Sequence, residues 1–289
     1  MKISMMSYTI ARQLPKGRKL DVKALCEFTR ELKLDAVDWC GTYGHDPREI
    51  RKTMDDYGLK TVCYTYGCDL NFRSASERAP GRDVFKKGIE TAVALGADKI
   101  MLPVAGKQDR TREESFRNWM MGLNEVIDFA GKAGVTVTIE NFPSRSSPFI
   151  ASADMNRAVK EIPKLRITFD NGNVTTAGET ARDGFIASAK WVIHSHFKDW
   201  KVFPKACPRP RSPSAGAMDT PGAMLGLDGK CRRAVLVGDG DVDQVPCLKA
   251  MKEYGYKGYI NFEYEGNELT ARDATIEGVR RMREWMASL

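Results

Sequence analysis

The chain has 289 residues, of which 42% are hydrophobic, 9% aromatic and 29% charged. This composition supports a sizeable core and excludes a disordered chain, and the length suits a (β/α)8 barrel, a fold of roughly 250 residues. Its 45 Lys and Arg residues against 38 Asp and Glu residues give a net charge of +7. Both signs are interspersed along helical segments, so the excess does not by itself indicate nucleic acid.

Eight short β-branched or aromatic runs predict strands, and segments with helical periodicity separate them. The strands are predicted at residues 3–8, 35–40, 60–66, 99–105, 135–141, 165–171, 192–198 and 258–265. Parallel strands need a crossover connection, so this alternation predicts an α/β fold. A closed TIM barrel forming a single domain over residues 1–289 is the preferred architecture. A doubly wound open sheet comes second, because no G-x-G-x-x-G motif follows the first strand.

The longest interval between predicted strands separates the seventh from the eighth, and it predicts an insertion loop at about residues 200–235. This stretch is rich in Pro, Gly and basic residues. In a barrel it would emerge at the C-terminal face, where active sites are built, so a lid or pocket wall is expected. Its basic side chains either meet an anionic substrate or keep the loop soluble.

The chain starts without a signal-peptide pattern, and no segment approaches the ~20 apolar residues of a membrane span. Seven cysteines are present, an odd number without a C-x-x-C motif. These features predict a cytoplasmic protein with free thiols, bound neither to a membrane nor to nucleic acid. They do not define an oligomeric state, and a homo-oligomer is compatible with them.

Polar groups interrupt the last four predicted strands at their C-terminal ends. These residues are Glu140, Asp170, His196 and Glu263. Side chains alternate between the two faces of a strand, so all four can point into the barrel at one height. Three carboxylates and an imidazole suit one divalent cation, with Mn²⁺, Co²⁺ or Mg²⁺ preferred over Zn²⁺. The alternative is that these are ordinary polar groups at strand ends.

Two neighbours of these residues, His194 and Glu265, are also possible ligands. His194 shares a face with His196 but lies one layer deeper, which favours a hydrogen-bonded core histidine. Glu265 shares the parity of Glu263 but lies further out, so Glu263 is preferred.

The motifs around these residues resemble those of the xylose isomerase-like TIM barrels, the sugar phosphate isomerases and epimerases. They are T-I-E-N at 138–141, F-D-N-G-N at 169–173, H-S-H-F-K-D at 194–199, G-D-G-D-V-D at 238–243 and F-E-Y-E-G at 262–266. The resemblance implies that Glu140, Asp170, His196 and Glu263 bind one metal. It also implies that Glu140 and Glu263 exchange the substrate proton.

The chain departs from this family pattern at two positions. Ketose 3-epimerases typically have histidine where this chain has Asn173, and many relatives have histidine at the position of Phe142. The H-x-H-x-K-D form of the seventh strand is more similar to the inosose dehydratase group.

A metal-dependent sugar isomerase or epimerase working through an enediolate is therefore the predicted function, with Glu140 and Glu263 as acid and base. The alternatives are a dehydratase acting on a keto-sugar or keto-cyclitol, an endonuclease IV-like nuclease and a sugar-binding module without activity. The nuclease would need several histidines, and beyond the pair at 194 and 196 only His45 is present.

Three further residues are candidates for contact with a carbohydrate substrate. Lys198 follows the ligand strand and suits a substrate oxygen, although a salt bridge explains it equally well. Asn173 could bind a hydroxyl or simply close the D-N-G-N turn. Trp39 ends the second strand, where it would either wall the pocket or pack on a helix.

Overall fold

A computed structural model of the chain describes residues 1–205 and 223–289. Its central feature is a closed barrel of parallel strands in the spatial order β1-β11-β7-β6-β5-β4-β3-β2. The barrel strands are β1 (Lys2–Met6), β2 (Ala36–Cys40), β3 (Lys60–Thr65), β4 (Lys99–Leu102), β5 (Thr136–Glu140), β6 (Arg166–Asp170), β7 (Val192–Phe197) and β11 (Tyr259–Phe262). Each coincides with a predicted strand, and the predicted TIM barrel is confirmed.

Helices surround the barrel and connect its strands. They are α1 (Ser7–Ala11), α2 (Val22–Glu31), α3 (Pro47–Asp56), α4 (Ala75–Leu95), α5 (Arg112–Lys132), α6 (Ser152–Glu161), α7 (Ala181–Ser188), α8 (Gln244–Tyr254) and α9 (Ala271–Ser288). Short 3₁₀ helices cover Asn173–Ala177 and Ala189–Trp191. No helix within residues 1–205 and 223–289 is long and apolar enough to cross a membrane.

Local sequence explains where the long helices begin and end. Ser74 opens α4 with a capping box in which its hydroxyl accepts from the Glu77 amide and the Glu77 carboxylate accepts from the Ser74 amide. Glycine ends α4 and α8, because Gly96 and Gly255 adopt positive φ angles of 75° and 84° that side chains disfavour. These ends bring the chain back to the bottom of the next strand.

The insertion after β7 contains a second sheet rather than only a loop. Its strands are β8 (Asp199–Phe203), β9 (Ala223–Leu225) and β10 (Cys231–Val235), paired antiparallel in the order β8-β10-β9. The residues of β8 and β10 are buried or half-buried, so this sheet packs against the rest of the protein. The remainder of the predicted loop, 206–222, lies outside the described residues.

The G-D-G-D-V-D segment holds this sheet against the barrel. The Asp199 carboxylate accepts hydrogen bonds from the backbone amides of Gly238, Gly240 and Val242, at 2.7–3.1 Å. The motif is therefore structural: it encloses the carboxylate that directly follows Lys198. Within residues 1–205 and 223–289, five cysteines are free, namely Cys26, Cys40, Cys63, Cys68 and Cys247. Cys231 is disulfide-bonded, which departs from the expectation of free thiols.

Candidate metal centre

Four adjacent barrel strands deliver the four candidate ligands to one end of the barrel. Glu140 ends β5, Asp170 ends β6, His196 lies near the end of β7, and Glu263 directly follows β11. The closed topology places β11 beside β7, so the four strands form an unbroken arc with the glutamates at its two ends. Asp170 and His196 are directly paired across β6 and β7. Residues separated by up to 123 positions in sequence thus become neighbours.

The four side chains converge on one small volume. One potential ligand atom from each lies within 4.8 Å of the others, and all four residues are buried. His196 Nδ1 is 2.8 Å from Glu140 Oε1 and 3.6 Å from Glu263 Oε2. The imidazole therefore directs Nδ1, rather than Nε2, toward the two carboxylates.

The Lys198 ammonium group is part of the same cluster. Its Nζ lies 3.2 Å from Asp170 Oδ2, 3.1 Å from Glu263 Oε2 and 3.0 Å from Glu265 Oε2. Only 4% of the residue is exposed, so the charge interacts with these carboxylates with little screening by water. The predicted salt bridge to a neighbouring strand is present, and the same amino group also borders the cavity described below.

The pKa values reflect this crowding of charge. Burial raises the pKa of Asp170 to about 8, and the negative charges of Glu140 and Glu263 add to that effect. Burial disfavours the Lys198 ammonium, but the surrounding carboxylates outweigh it and raise its pKa well above the usual value. Burial also disfavours protonated His196, whose pKa is nevertheless raised by contacts with Asp38 and Glu140.

The residues present fit a divalent cation. Asp170 Oδ2 and Glu263 Oε2 are buried and lie beside the Lys198 ammonium, but neither has a partner in hydrogen-bond geometry. Buried polar atoms in native proteins nearly always have such partners, so exceptions mark a position where another group binds. Oxygen-rich donor sets with one imidazole are typical of Mn²⁺ and related ions.

A cavity of about 260 Å³ opens beside the cluster. Glu140, His196, Lys198, Glu263 and Glu265 form its polar wall. The wall contributed by the other strands and loops is largely apolar and consists of Met6, Cys40, Met101, Pro103, Phe142, Pro143 and Met224, with Tyr8 and Thr65 adding hydroxyls. The cavity can accept a small molecule whose oxygen atoms lie along one edge.

Of the candidate substrate contacts Asn173 and Trp39, the structure places only Asn173 at the cavity. Asn173 borders the cavity, is 1% exposed, and leaves both side-chain amide atoms without a partner. Trp39 is fully buried in the hydrophobic core and does not border the cavity, which corrects the expectation of a pocket wall. The reason is parity: Asp38 takes the inward position on β2, so the next side chain points away from the axis.

Asp38 is a buried residue of the barrel that the sequence analysis did not single out. Its Oδ2 accepts a hydrogen bond from His194 Nε2 at 2.5 Å and lies 3.4 Å from His196 Nε2. His194 is thus a hydrogen-bonded core histidine, as expected. His45 lies apart, with Nε2 2.8 Å from the carbonyl oxygen of Leu20. His45 therefore does not join the cluster that contains the other two histidines.

Comparison with known proteins agrees with this architecture. A family model described as xylose isomerase-like TIM barrel matches residues 26–287. An L-ribulose-5-phosphate 3-epimerase of Escherichia coli is 24% identical over 287 residues, covering 95% of this chain and 87% of its own. An inosose dehydratase of Lacticaseibacillus casei is 22% identical over 236 residues, covering 77% and 75%.

Solved structures share the fold over the whole chain. The IolI protein, crystallised with a binding zinc atom, has a TM-score of 0.76 at 17% identity and covers 100% of this chain and 99% of its own. At that level of identity the likeness concerns the fold.

Proposed function

The chain belongs to the family of xylose isomerase-like TIM barrels, and on that premise we propose that it is a divalent-metal-dependent sugar isomerase or epimerase. The observation that carries the proposal is the arc of four buried ligand groups with unpartnered polar atoms at the C-terminal end of the barrel. Active sites of TIM-barrel enzymes lie at that end. The epimerase and dehydratase relatives support enzymatic chemistry on a carbonyl-containing carbohydrate.

Glu140, Asp170, His196 and Glu263 would hold the metal. When bound, the ion would supply Lewis acidity to a substrate carbonyl and its neighbouring hydroxyl. Mn²⁺, Co²⁺ and Mg²⁺ are the preferred candidates for this donor set. Zn²⁺ belongs in the test panel because a structural neighbour binds it.

Glu140 and Glu263 are proposed as the proton-transfer pair. They stand at opposite ends of the ligand arc, and both border the cavity. One carboxylate can remove the proton next to the carbonyl while the other returns it from a different direction. Return to the opposite face of the same carbon gives epimerisation, and return to the adjacent carbon gives isomerisation.

Asn173 is proposed to orient the substrate. Its buried amide offers one acceptor and two donors to the cavity without a protein partner. A substrate hydroxyl, which both donates and accepts, satisfies an amide of this kind. An unsatisfied buried polar group costs about 1–3 kcal/mol, so a ligand that pairs with it gains affinity.

Dehydration of a keto-sugar or keto-cyclitol is the second candidate function. Two observations favour it: the inosose dehydratase relative and the Lys198 ammonium, whose Nζ is 3.1 Å from Glu263 Oε2 at the cavity wall. Loss of a hydroxyl is assisted by a positive charge beside the departing oxygen, and the Lys198 ammonium provides one next to the two glutamates, which can carry the proton.

Hydrogen exchange in D₂O tests the proposed function. The metal-reconstituted protein is incubated with ketoses, keto-acids and keto-cyclitols, and incorporation of deuterium is followed by NMR. We expect incorporation at one carbon next to the carbonyl, with the molecular formula unchanged for an isomerase or epimerase. Loss of water with formation of an unsaturated ketone would instead select the dehydratase.

Two variants separate active-site chemistry from contamination. Glu263→Gln keeps the size of the side chain and removes the base, so exchange is expected to stop. Glu161→Gln, an exposed change on α6, serves as the matched control and should retain wild-type exchange. Wild-type metal content in a Glu140→Gln, Glu263→Gln double variant would contradict the ligand set. Equal exchange by Glu263→Gln and wild-type protein would contradict its role in proton transfer.

A further inference from the structure

Asp38 occupies a position in the barrel that packing alone does not explain. Its carboxylate and the imidazoles of His194 and His196 are each 0% exposed, and all three side chains project into the barrel. Removing such groups from water is costly, and replacement of buried ion pairs by apolar residues is often neutral or stabilising. This cluster is therefore better explained by what it does to a neighbouring group than by stability.

Asp38 contacts both His194 and His196, and His196 in turn contacts the candidate metal centre. Asp38 Oδ2 lies 2.5 Å from His194 Nε2 and 3.4 Å from His196 Nε2. The opposite nitrogen of His196, Nδ1, is 2.8 Å from Glu140 Oε1 and faces the carboxylates. The His196 ring thus lies between a buried carboxylate on one side and the ligand cluster on the other.

This geometry bears on the tautomer of His196. A neutral imidazole carries one proton, and only the nitrogen without it can bind a metal. Because Asp38 accepts hydrogen bonds but cannot donate them when ionised, it favours a proton on His196 Nε2. A cation that displaces the proton between Nδ1 and Glu140 Oε1 would then meet the Nδ1 lone pair on the side of the ligand cluster.

We propose that Asp38, held in place by His194, is the positioning residue that selects Nδ1 of His196 as the metal-binding atom. The inference rests on the proposed metal centre but assigns a role to two residues outside the ligand set. Carboxylate partners of metal-binding histidines fix ring orientation and tautomer, and their loss typically costs 10–100-fold in metal affinity.

The test measures Mn²⁺ affinity by calorimetry in the full-length protein, together with the tautomer of metal-bound His196 by ¹⁵N NMR in protein loaded with diamagnetic Zn²⁺. Asp38→Asn removes the charge at nearly constant size, and we expect affinity to fall 10–100-fold. The fraction of His196 with its proton on Nε2 should fall as well. A purely structural role would change neither quantity.

A pair of substitutions at residue 194 tests the supporting contact independently. The amide nitrogen of glutamine can donate to Asp38 much as His194 Nε2 does, so His194→Gln should keep affinity within about threefold of wild type. His194→Leu removes the donor, and about a tenfold loss is expected. Thr138→Val is the matched control, because it alters a buried hydrogen bond to Thr168 inside the same barrel without touching the histidines.

The outcomes separate this inference from the proposed function. Mn²⁺ binding and a tautomer ratio like those of the wild type in Asp38→Asn would overturn the inference while leaving the metal centre intact. Absence of Mn²⁺, Co²⁺, Mg²⁺ and Zn²⁺ binding in wild-type protein would overturn both. If Asp38→Asn does not fold, equal affinities of the His194→Gln and His194→Leu proteins would refute the proposed role.

Discussion

Removal of the Lys198 charge should destabilise the metal-free protein strongly. Lys198→Met keeps the length of the stem but leaves carboxylates of Asp170, Glu263 and Glu265 without the ammonium that lies 3.0–3.2 Å from them. Breaking a buried charge pair by deleting one partner costs about 3–5 kcal/mol. The free energy of unfolding in the presence of a chelator should fall by this amount.

The expected change in melting temperature follows from the length of the chain. For 289 residues, at about 2.1 cal/mol/K per residue, the entropy of unfolding near 60 °C is roughly 0.6 kcal/mol/K. A loss of about 3–5 kcal/mol then corresponds to a decrease of about 5–8 °C. Differential scanning calorimetry with EDTA measures it directly.

Added metal should reverse part of this loss. A divalent cation and the Lys198 ammonium are both attracted by Asp170 and Glu263 and repel one another, so removing the ammonium should tighten Mn²⁺ binding. A tenfold gain in affinity, about 1.4 kcal/mol, would narrow the stability difference by the same amount at saturating metal. Differential scanning calorimetry with Mn²⁺ in place of EDTA measures the stability difference between variant and wild type at saturating metal.

Lys201→Met is the matched control for this experiment. Lys201 lies three residues further along, on β8, and its salt bridge to Asp241 is solvent-exposed at 44% and 41% of the side chains. Exposed pairs contribute about 0–1 kcal/mol, so the melting temperature should fall by less than about 2 °C. A metal-free Lys198→Met protein as stable as the control would refute the electrostatic reasoning, and so would a stability difference that Mn²⁺ leaves unchanged.

Three other substitutions or treatments have defined outcomes. Asn173→Leu should raise KM for the substrate about tenfold without lowering the melting temperature, because two unpartnered buried polar atoms disappear; an unchanged KM in steady-state assays contradicts a substrate contact. In Gly240→Ala the new Cβ would lie 2.1 Å from Asp199 Oδ1, so urea unfolding should show a loss of about 1–3 kcal/mol, whereas Gly131→Ala on α5 meets no atom within 4 Å and should lose nothing. Dialysis against EDTA should abolish deuterium exchange and Mn²⁺ should restore it, with metal content followed by mass spectrometry; full exchange by metal-free protein would rule out a metal-dependent reaction.

The candidate ligands were predictable because each one interrupts an apolar strand at the same end. The order of the strands along the chain was then enough to predict that the four residues are neighbours, because a closed barrel places its last strand between the first strand and β7. Glu263 shows the limit of that reasoning: β11 ends at Phe262, so the residue is positioned by the backbone that leaves the strand. Its placement in the cluster still follows from the alternation of side chains.

The inward direction of Asp38 was not predictable from its own strand. Alternation along A-V-D-W-C allows either Asp38 or Trp39 to face the barrel axis, and the register shift at this point falls on β3, where Val62 is the extra residue. Trp39, a larger and more conspicuous residue, was assigned to the pocket instead. Two features of the sequence could have indicated the role of Asp38. It is a carboxylate within the otherwise apolar run A-V-D-W-C, and the second histidine, His194, had no assigned partner.

The small sheet after β7 could not be read from periodicity because Pro, Gly and basic residues dominate the insertion. Its position nevertheless bears on function. β8 begins at Asp199, directly after Lys198, and the Asp199 carboxylate is fixed by amides of the 238–242 segment. The backbone on one side of Lys198 is thereby clamped by the insertion, while β7 holds the other side. A lysine stem normally has high conformational entropy, so this double anchoring favours a precise location for one positive charge among several carboxylates. Such precision is what the proposed site requires, since it would have to balance a metal ion, an ammonium group and two glutamates.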